Sequence, residues 1–223
     1  MRWWNLNPNI KALAAEMSRV IYYVNNEPVV IASTGRSGST MLCRAIMNSY
    51  FQSRTKLSIN PRFVFYPAFC KKNLSYYRHG GVYKTHMLAT HVPNELKTIF
   101  IYDDPVISYK SFNNCVVKYG SPWGEQHLKN LESRYSISDL GADVDILNYK
   151  EQMSSWFSRK SGVVIRFSEL WDNTEDLSDY IGVNLKLPLL TERTSSISEA
   201  DVLGNTLNEL RNIYDGATKV MIK

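Results

Sequence analysis

Apolar residues in this chain fall into short unbroken runs, separated by stretches in which they recur at helical spacing. Val29-Val30-Ile31-Ala32 is such a run, and its β-branched content reads as a buried strand. Met41, Leu42, Ala45 and Ile46 then repeat at three- and four-residue intervals, predicting a helix from Ser39 to about Phe51. Val82-Tyr83-Lys84-Thr85 is a short strand that leads into His86. Thr98-Ile99-Phe100-Ile101-Tyr102 reads as a central strand, stopped by Asp103-Asp104-Pro105, with a helix from about Pro105 through Val117. Further along, Ile146, Met153, Trp156 and Phe157 mark a helix from about Asp145 to Arg159. Gly162–Arg166 is another buried strand, and Asp172–Ile181 another helix. Near the start, Pro8 opens a helix whose apolar face carries Ile10, Leu13, Ala14, Met17, Val20 and Ile21. Near the end, Ser198 reads as an N-cap, with Asp201 three positions on, of a last helix running towards Tyr214.

Strands that alternate with helices imply a parallel sheet covered on both faces. The expected fold is therefore α/β: three layers, α/β/α, around a central, mostly parallel sheet. No repeat or linker divides the chain, so residues 1–223 are expected to form one domain. Ligands of such sheets sit at the carboxyl ends of the strands. That would bring the 34–40 loop, His86 and the 103–111 segment to one edge. Residues 52–81, broken by Pro61, Pro67, Gly80 and Gly81, are long and irregular for a connection inside a compact domain. They read either as a substrate-side lid or as an insertion covering the core. Residues 119–145 are polar, rich in turn formers, and show no clear period.

The loop after the first strand carries the strongest chemical signal. Thr34-Gly35-Arg36-Ser37-Gly38-Ser39-Thr40 packs two glycines, an arginine and four hydroxyls into seven residues. The glycines let the backbone turn sharply and approach a ligand closely. First-turn N–H groups of the following helix point into the loop and favour an anion. The pattern describes a phosphate cradle, and an ordinary turn between strand and helix requires less.

Bulk composition narrows the partners. Hydrophobic residues make up 44% and charged residues 21%, as in an ordinary globular protein. A net charge of +5, spread without a dense block of Lys and Arg, suits an anionic ligand and excludes a nucleic-acid arm. Cys43, Cys70 and Cys115 are widely spaced and form no CxxC pair. They suggest neither a disulfide framework nor a zinc site, and so a reducing compartment. No apolar run approaches the roughly 18 residues of a membrane span. A cytoplasmic protein without stable membrane insertion is expected.

Three segments together resemble the PAPS-dependent sulfotransferases. Gly35-Arg36-Ser37-Gly38-Ser39-Thr40 resembles their 5′-phosphosulfate loop. Lys84-Thr85-His86, followed by Val92-Pro93, looks like the segment that carries their catalytic histidine. Ile99-Phe100-Ile101-Tyr102-Asp103-Asp104-Pro105, with Ser111-Phe112, is similar to their strand, turn and helix for the 3′-phosphate. Trp156 and Val163–Leu170 add a weaker likeness to a later strand and its turn, and the whole spans roughly residues 28–183. The resemblance implies transfer of a sulfuryl group from PAPS to a hydroxyl or amine, leaving PAP, with no metal. It assigns Arg36 to the bridging oxygen, and Thr34, Gly35, Ser37, Gly38, Ser39 and Thr40 to the 5′-phosphate. Ser111 falls to the 3′-phosphate and His86 becomes the general base, with Lys84, on the same strand face, assisting. The acceptor would be a small molecule, a carbohydrate or a lipid, and the membrane anchor of Golgi members is not expected.

One position departs from the family. An arginine normally faces the 3′-phosphate where this chain has Asp103. At about 4 Å a carboxylate repels a phosphate by ~1 kcal/mol in water and by more in a cleft. The phosphate then needs a cation from elsewhere, with Lys110, Lys118 and Arg193 as candidates; otherwise the donor differs, or turnover is lost. Two rival readings stand beside the first. A P-loop kinase or NTPase would use Asp103 to organise Mg²⁺, but Gly38 is followed by Ser39 and the G-x-x-x-x-G-K-[ST] lysine is missing. A degenerate, non-catalytic domain would bind the nucleotide without turning it over. His91 and His127 are expected at surface or packing positions.

Overall fold

A computed structural model describes residues 27–55, 68–69, 77, 81–190, 205–217 and 221–222. The helix expected over Ile10–Ile21, the Ser198 cap, Cys70, Arg193 and most of the 52–81 connection lie outside these residues. The strands are β1 (Val29–Ser33), β2 (Ala68–Phe69), β3 (Val82–Thr85), β4 (Lys97–Tyr102), β5 (Val163–Arg166) and β6 (Met221–Ile222). The helices are α1 (Ser39–Thr55), α2 (Pro105–Tyr119), α3 (Ser121–Asn130), α4 (Tyr149–Phe157), α5 (Thr174–Ile181) and α6 (Asn205–Gly216).

The sheet runs β2-β3-β1-β4-β5-β6. β1, β3, β4 and β5 are mutually parallel, β2 joins β3 in parallel, and β6 closes the far edge antiparallel to β5. Alternation along each strand sends side chains to opposite faces. Val29, Ile31, Ile99, Ile101, Val163 and Ile165 meet Leu42, Ile46 and Tyr50 of α1 and Leu177 and Ile181 of α5. Val30, Ala32, Phe100, Tyr102 and Val164 meet Val106 of α2, Met153 and Trp156 of α4, and Leu207 and Leu210 of α6. Helices thus cover both faces, giving the three α/β/α layers that the alternation implied. A smaller core of Phe112, Val116, Leu128, Leu131, Ile146 and Leu147 joins α2 to α3. No helix among the described residues is long and apolar enough to cross a membrane.

From β1 the chain passes to one side of that strand, builds β2 and β3, and then returns to β4 on the other side. The carboxyl end of β1 is therefore the topological switch point, where a crevice opens in sheets of this kind.

The start of α4 and the presence of α3 differ from the sequence expectation. α4 begins at Tyr149, because Asn148 takes a left-handed φ of 54° and the Asp145 carboxylate accepts the N–H groups of Tyr149 and Lys150. α3 occupies part of 119–145, the stretch that showed no period. The described part of α6 spans Asn205–Gly216, and Asp143, 62 residues before Asn205, accepts the amides of Asn205 and Thr206.

Candidate functional site

β1 ends at Ser33, and α1 starts six residues later. The turn between them has positive φ at Gly35 (80°), Arg36 (58°) and Gly38 (82°). Alternation of this kind aims successive backbone N–H groups into one concavity. A left-handed arginine is unusual, and it marks stored strain at the centre of the loop. Gly38 has a packing reason as well: a Cβ there would stand 2.2 Å from the Phe167 ring. The Gly38 carbonyl accepts the amides of Met41 and Leu42, so the first-turn amides of Ser39 and Thr40 face the loop.

Ser33, Thr34, Ser37 and Ser39 are buried, and their hydroxyls pair with one another. Thr34 Oγ1 and Ser37 Oγ are 2.7 Å apart, and Ser37 Oγ donates to the Gly35 carbonyl at 3.0 Å. Ser33 Oγ donates to Ser39 Oγ at 3.0 Å. An entering anion would replace such pairings with its own oxygens.

The three sequence segments converge here. β1 and β3 pair with Ala32 opposite Thr85, so Ser33 and His86 meet one step further along. His86 Nδ1 lies 3.1 Å from the Ser33 carbonyl oxygen and 3.1 Å from Ser33 Oγ. A carbonyl only accepts, so Nδ1 carries the proton and Nε2 keeps its lone pair. Lys84 Nζ donates to Thr40 Oγ1 at 2.8 Å, at the start of α1. Arg36 Nε donates to Ser111 Oγ at 3.0 Å, joining the loop to α2. The loop residues, Lys84, His86 and Ser111 are therefore at one place.

Electrostatics at this place are one-sided. Burial lowers the Lys84 ammonium to about 8; the Arg36 and Arg44 charges push the same way, against an opposing pull from Cys43. Among the described residues no carboxylate contributes to that field. Arg44 Nε is buried without a hydrogen-bond partner. Burial holds His86 well below its ordinary value, followed by the charges of Lys84 and His127, while its bond to the Ser33 carbonyl opposes. The ring is neutral, the form a general base needs. Among the described residues no cluster of His, Cys, Asp or Glu could hold a metal ion.

Asp103 does something other than face a ligand. Its Oδ1 accepts the Asp104 amide at 2.9 Å, and the Asp104 carboxylate accepts the amides of Val106 and Ile107. Lys110 is buried beside Ser111 in sequence, and Lys118 lies over the Tyr119 ring at the far end of α2. The cation that reaches Ser111 is Arg36.

His127 was missed. It sits on α3 with its ring centroid 5.2 Å from that of His86, edge to face. Trp123, His127 and Leu131 repeat every four residues, a signal masked by Pro122 and Gly124. His91, in contrast, pairs with Glu132 at 2.7 Å, away from the loop.

Comparison with models of protein families finds no match for this chain, and a search of curated proteins finds none.

Proposed function

We propose that this protein is a cytoplasmic sulfotransferase, moving a sulfuryl group from PAPS to a hydroxyl or amine of an acceptor and leaving PAP. The observation that carries the reading is the meeting of Arg36 and Lys84 at the amino end of α1, with Arg44 of the same helix acting on Lys84, beside a neutral His86 and with no carboxylate among the described residues acting on Lys84. Cations held together at a helix N-terminus repel one another until an anion joins them. PAPS supplies an activated sulfuryl group joined to a phosphate.

Loop amides with Thr34, Ser37, Ser39 and Thr40 would hold the 5′-phosphate, and Arg36 would span from the bridging oxygen towards Ser111 and the 3′-phosphate. Donors fixed in advance in this way are worth on the order of 3 kcal/mol each in the transition state. The acceptor oxygen attacks sulfur, and the sulfur–oxygen bond to the 5′-phosphate breaks. The electron pair leaves on that phosphate oxygen, neutralised by Arg36 and Lys84. His86 Nε2 takes the acceptor's proton.

The test is thermal unfolding with PAP, ADP or ATP, each with and without Mg²⁺. A ligand at 100 times its Kd stabilises by about 2.7 kcal/mol. PAP is expected to give the largest shift, independent of metal. A shift that appears only with ATP and Mg²⁺ would replace this reading with the phosphotransferase one. His86→Ala is expected to keep PAP binding and to lose about 100-fold or more in turnover; full turnover removes His86 from the chemistry.

A further inference from the structure

The His127 ring is held by stacking. Its centroid is 5.0 Å from Trp123 with planes 13° apart, and 5.6 Å from Phe112 with planes 28° apart. Its Nε2 is buried and has no hydrogen-bond partner. That nitrogen lies 3.2 Å from where a Cβ on Gly35 would stand, so it faces the loop backbone where that backbone has no side chain.

A ring needed only for packing would be a phenylalanine, which fills the same stack and buries no polar atom. Buried polar atoms in folded proteins have partners, and an orphan that faces the loop calls for one. The charges of Lys84 and Arg36 act on both His86 and His127, so the two imidazoles flank the region those cations govern. A second orphan lies beside them: Gln152 donates from Nε2 to the His86 and Leu131 carbonyls, leaving its buried Oε1 without a partner.

We propose that His127 donates its Nε2–H to an oxygen of the sulfuryl group held between the Gly35 loop and His86. This rests on the sulfotransferase reading and adds to it a contact that forms with PAPS and is lost with PAP, which lacks the group. His127 then helps the site to distinguish donor from product.

The experiment is titration calorimetry of PAPS and of PAP on the wild type, His127→Phe and His127→Gln. Phenylalanine keeps the stack and removes the N–H; glutamine returns an amide N–H near the same place. With His127→Phe, PAPS affinity is expected to fall about tenfold or more while PAP affinity stays within about twofold. His127→Gln should recover part of the loss. In the wild type, the His127 ring nitrogens should shift in ¹⁵N spectra on adding PAPS and stay in place with PAP, a readout independent of how any variant folds. Equal loss of both nucleotides, loss of neither, or ring nitrogens unmoved by PAPS overturns the assignment while leaving the sulfotransferase reading in place. A wild type that binds neither nucleotide overturns both.

Discussion

Two neighbouring strands of this sheet each end in a turn and a helix, and the two turns are made differently. After β4, the amino end of α2 is closed by the chain itself. Asp104 caps it through two amides, Asp103 accepts the amide between them, and Arg211 approaches Asp104 at 3.4 Å. After β1, the amino end of α1 has no acidic residue in its first turn and instead gathers Arg36 and Lys84. A helix N-terminus favours negative charge, whether internal or external. α2 brings its own; α1 is arranged with the opposite sign. The comparison also accounts for Asp103. It belongs to the closed turn, and among the described residues the cation bonded to Ser111, Arg36, comes from the other one.

The largest effect that bears on this contrast is expected from Arg36→Ala. It should abolish the PAP-dependent shift, about 2.7 kcal/mol at saturating ligand, and a retained shift would mean the loop amides suffice. Thr40→Asp would give α1 an internal carboxylate beside Lys84 and so convert it to the α2 arrangement. Stability without ligand should rise by about 0.3–1 kcal/mol while PAP affinity drops about tenfold or more, read by denaturant titration and calorimetry. A variant that still binds PAP as tightly would break the comparison. Asp104→Ala opens the closed turn: about 1 kcal/mol of stability should be lost, with PAP affinity held within about twofold. The smallest effect is in pH. Below about 8 Lys84 is charged in both the folded and the unfolded chain. Between about 8 and its ordinary 10.5, the unfolded chain keeps the proton and the folded one gives it up, so ligand-free stability rises with pH across that window. PAP affinity should fall a few-fold over the same rise, and a flat profile from pH 7 to 9 would remove Lys84 from the anion site.

The open turn was legible in the sequence because its chemistry is local. Two glycines, an arginine and hydroxyls follow a β-branched run, and the sheet pattern placed His86 and Ser111 beside them. α3 was illegible because its Gly124 reads as a breaker. In the fold that glycine makes room for Ile137, whose Cδ1 would be 2.4 Å from a Cβ there. His127 was lost with its helix. The start of α4 was misplaced for another reason: a carboxylate outside the helix, Asp145, receives its first amides, and spacing alone does not reveal such a partner.

One face of α4 deals with the backbone that follows His86. Gln152 donates to the His86 carbonyl, Trp156 to that of Met87, and Arg159 to those of Ala89, Val92 and Pro93, while Ser155 accepts the Ala89 amide. Gln152, Ser155 and Trp156 fall at i, i+3 and i+4 of the helix, a single stripe that Arg159, just past its end, continues. The helix works as a jig: it dictates where the imidazole stem leaves the sheet before any ligand arrives. A one-residue insertion ahead of Gln152 would turn the stripe by about 100° and misalign the His86 ring without touching the loop itself.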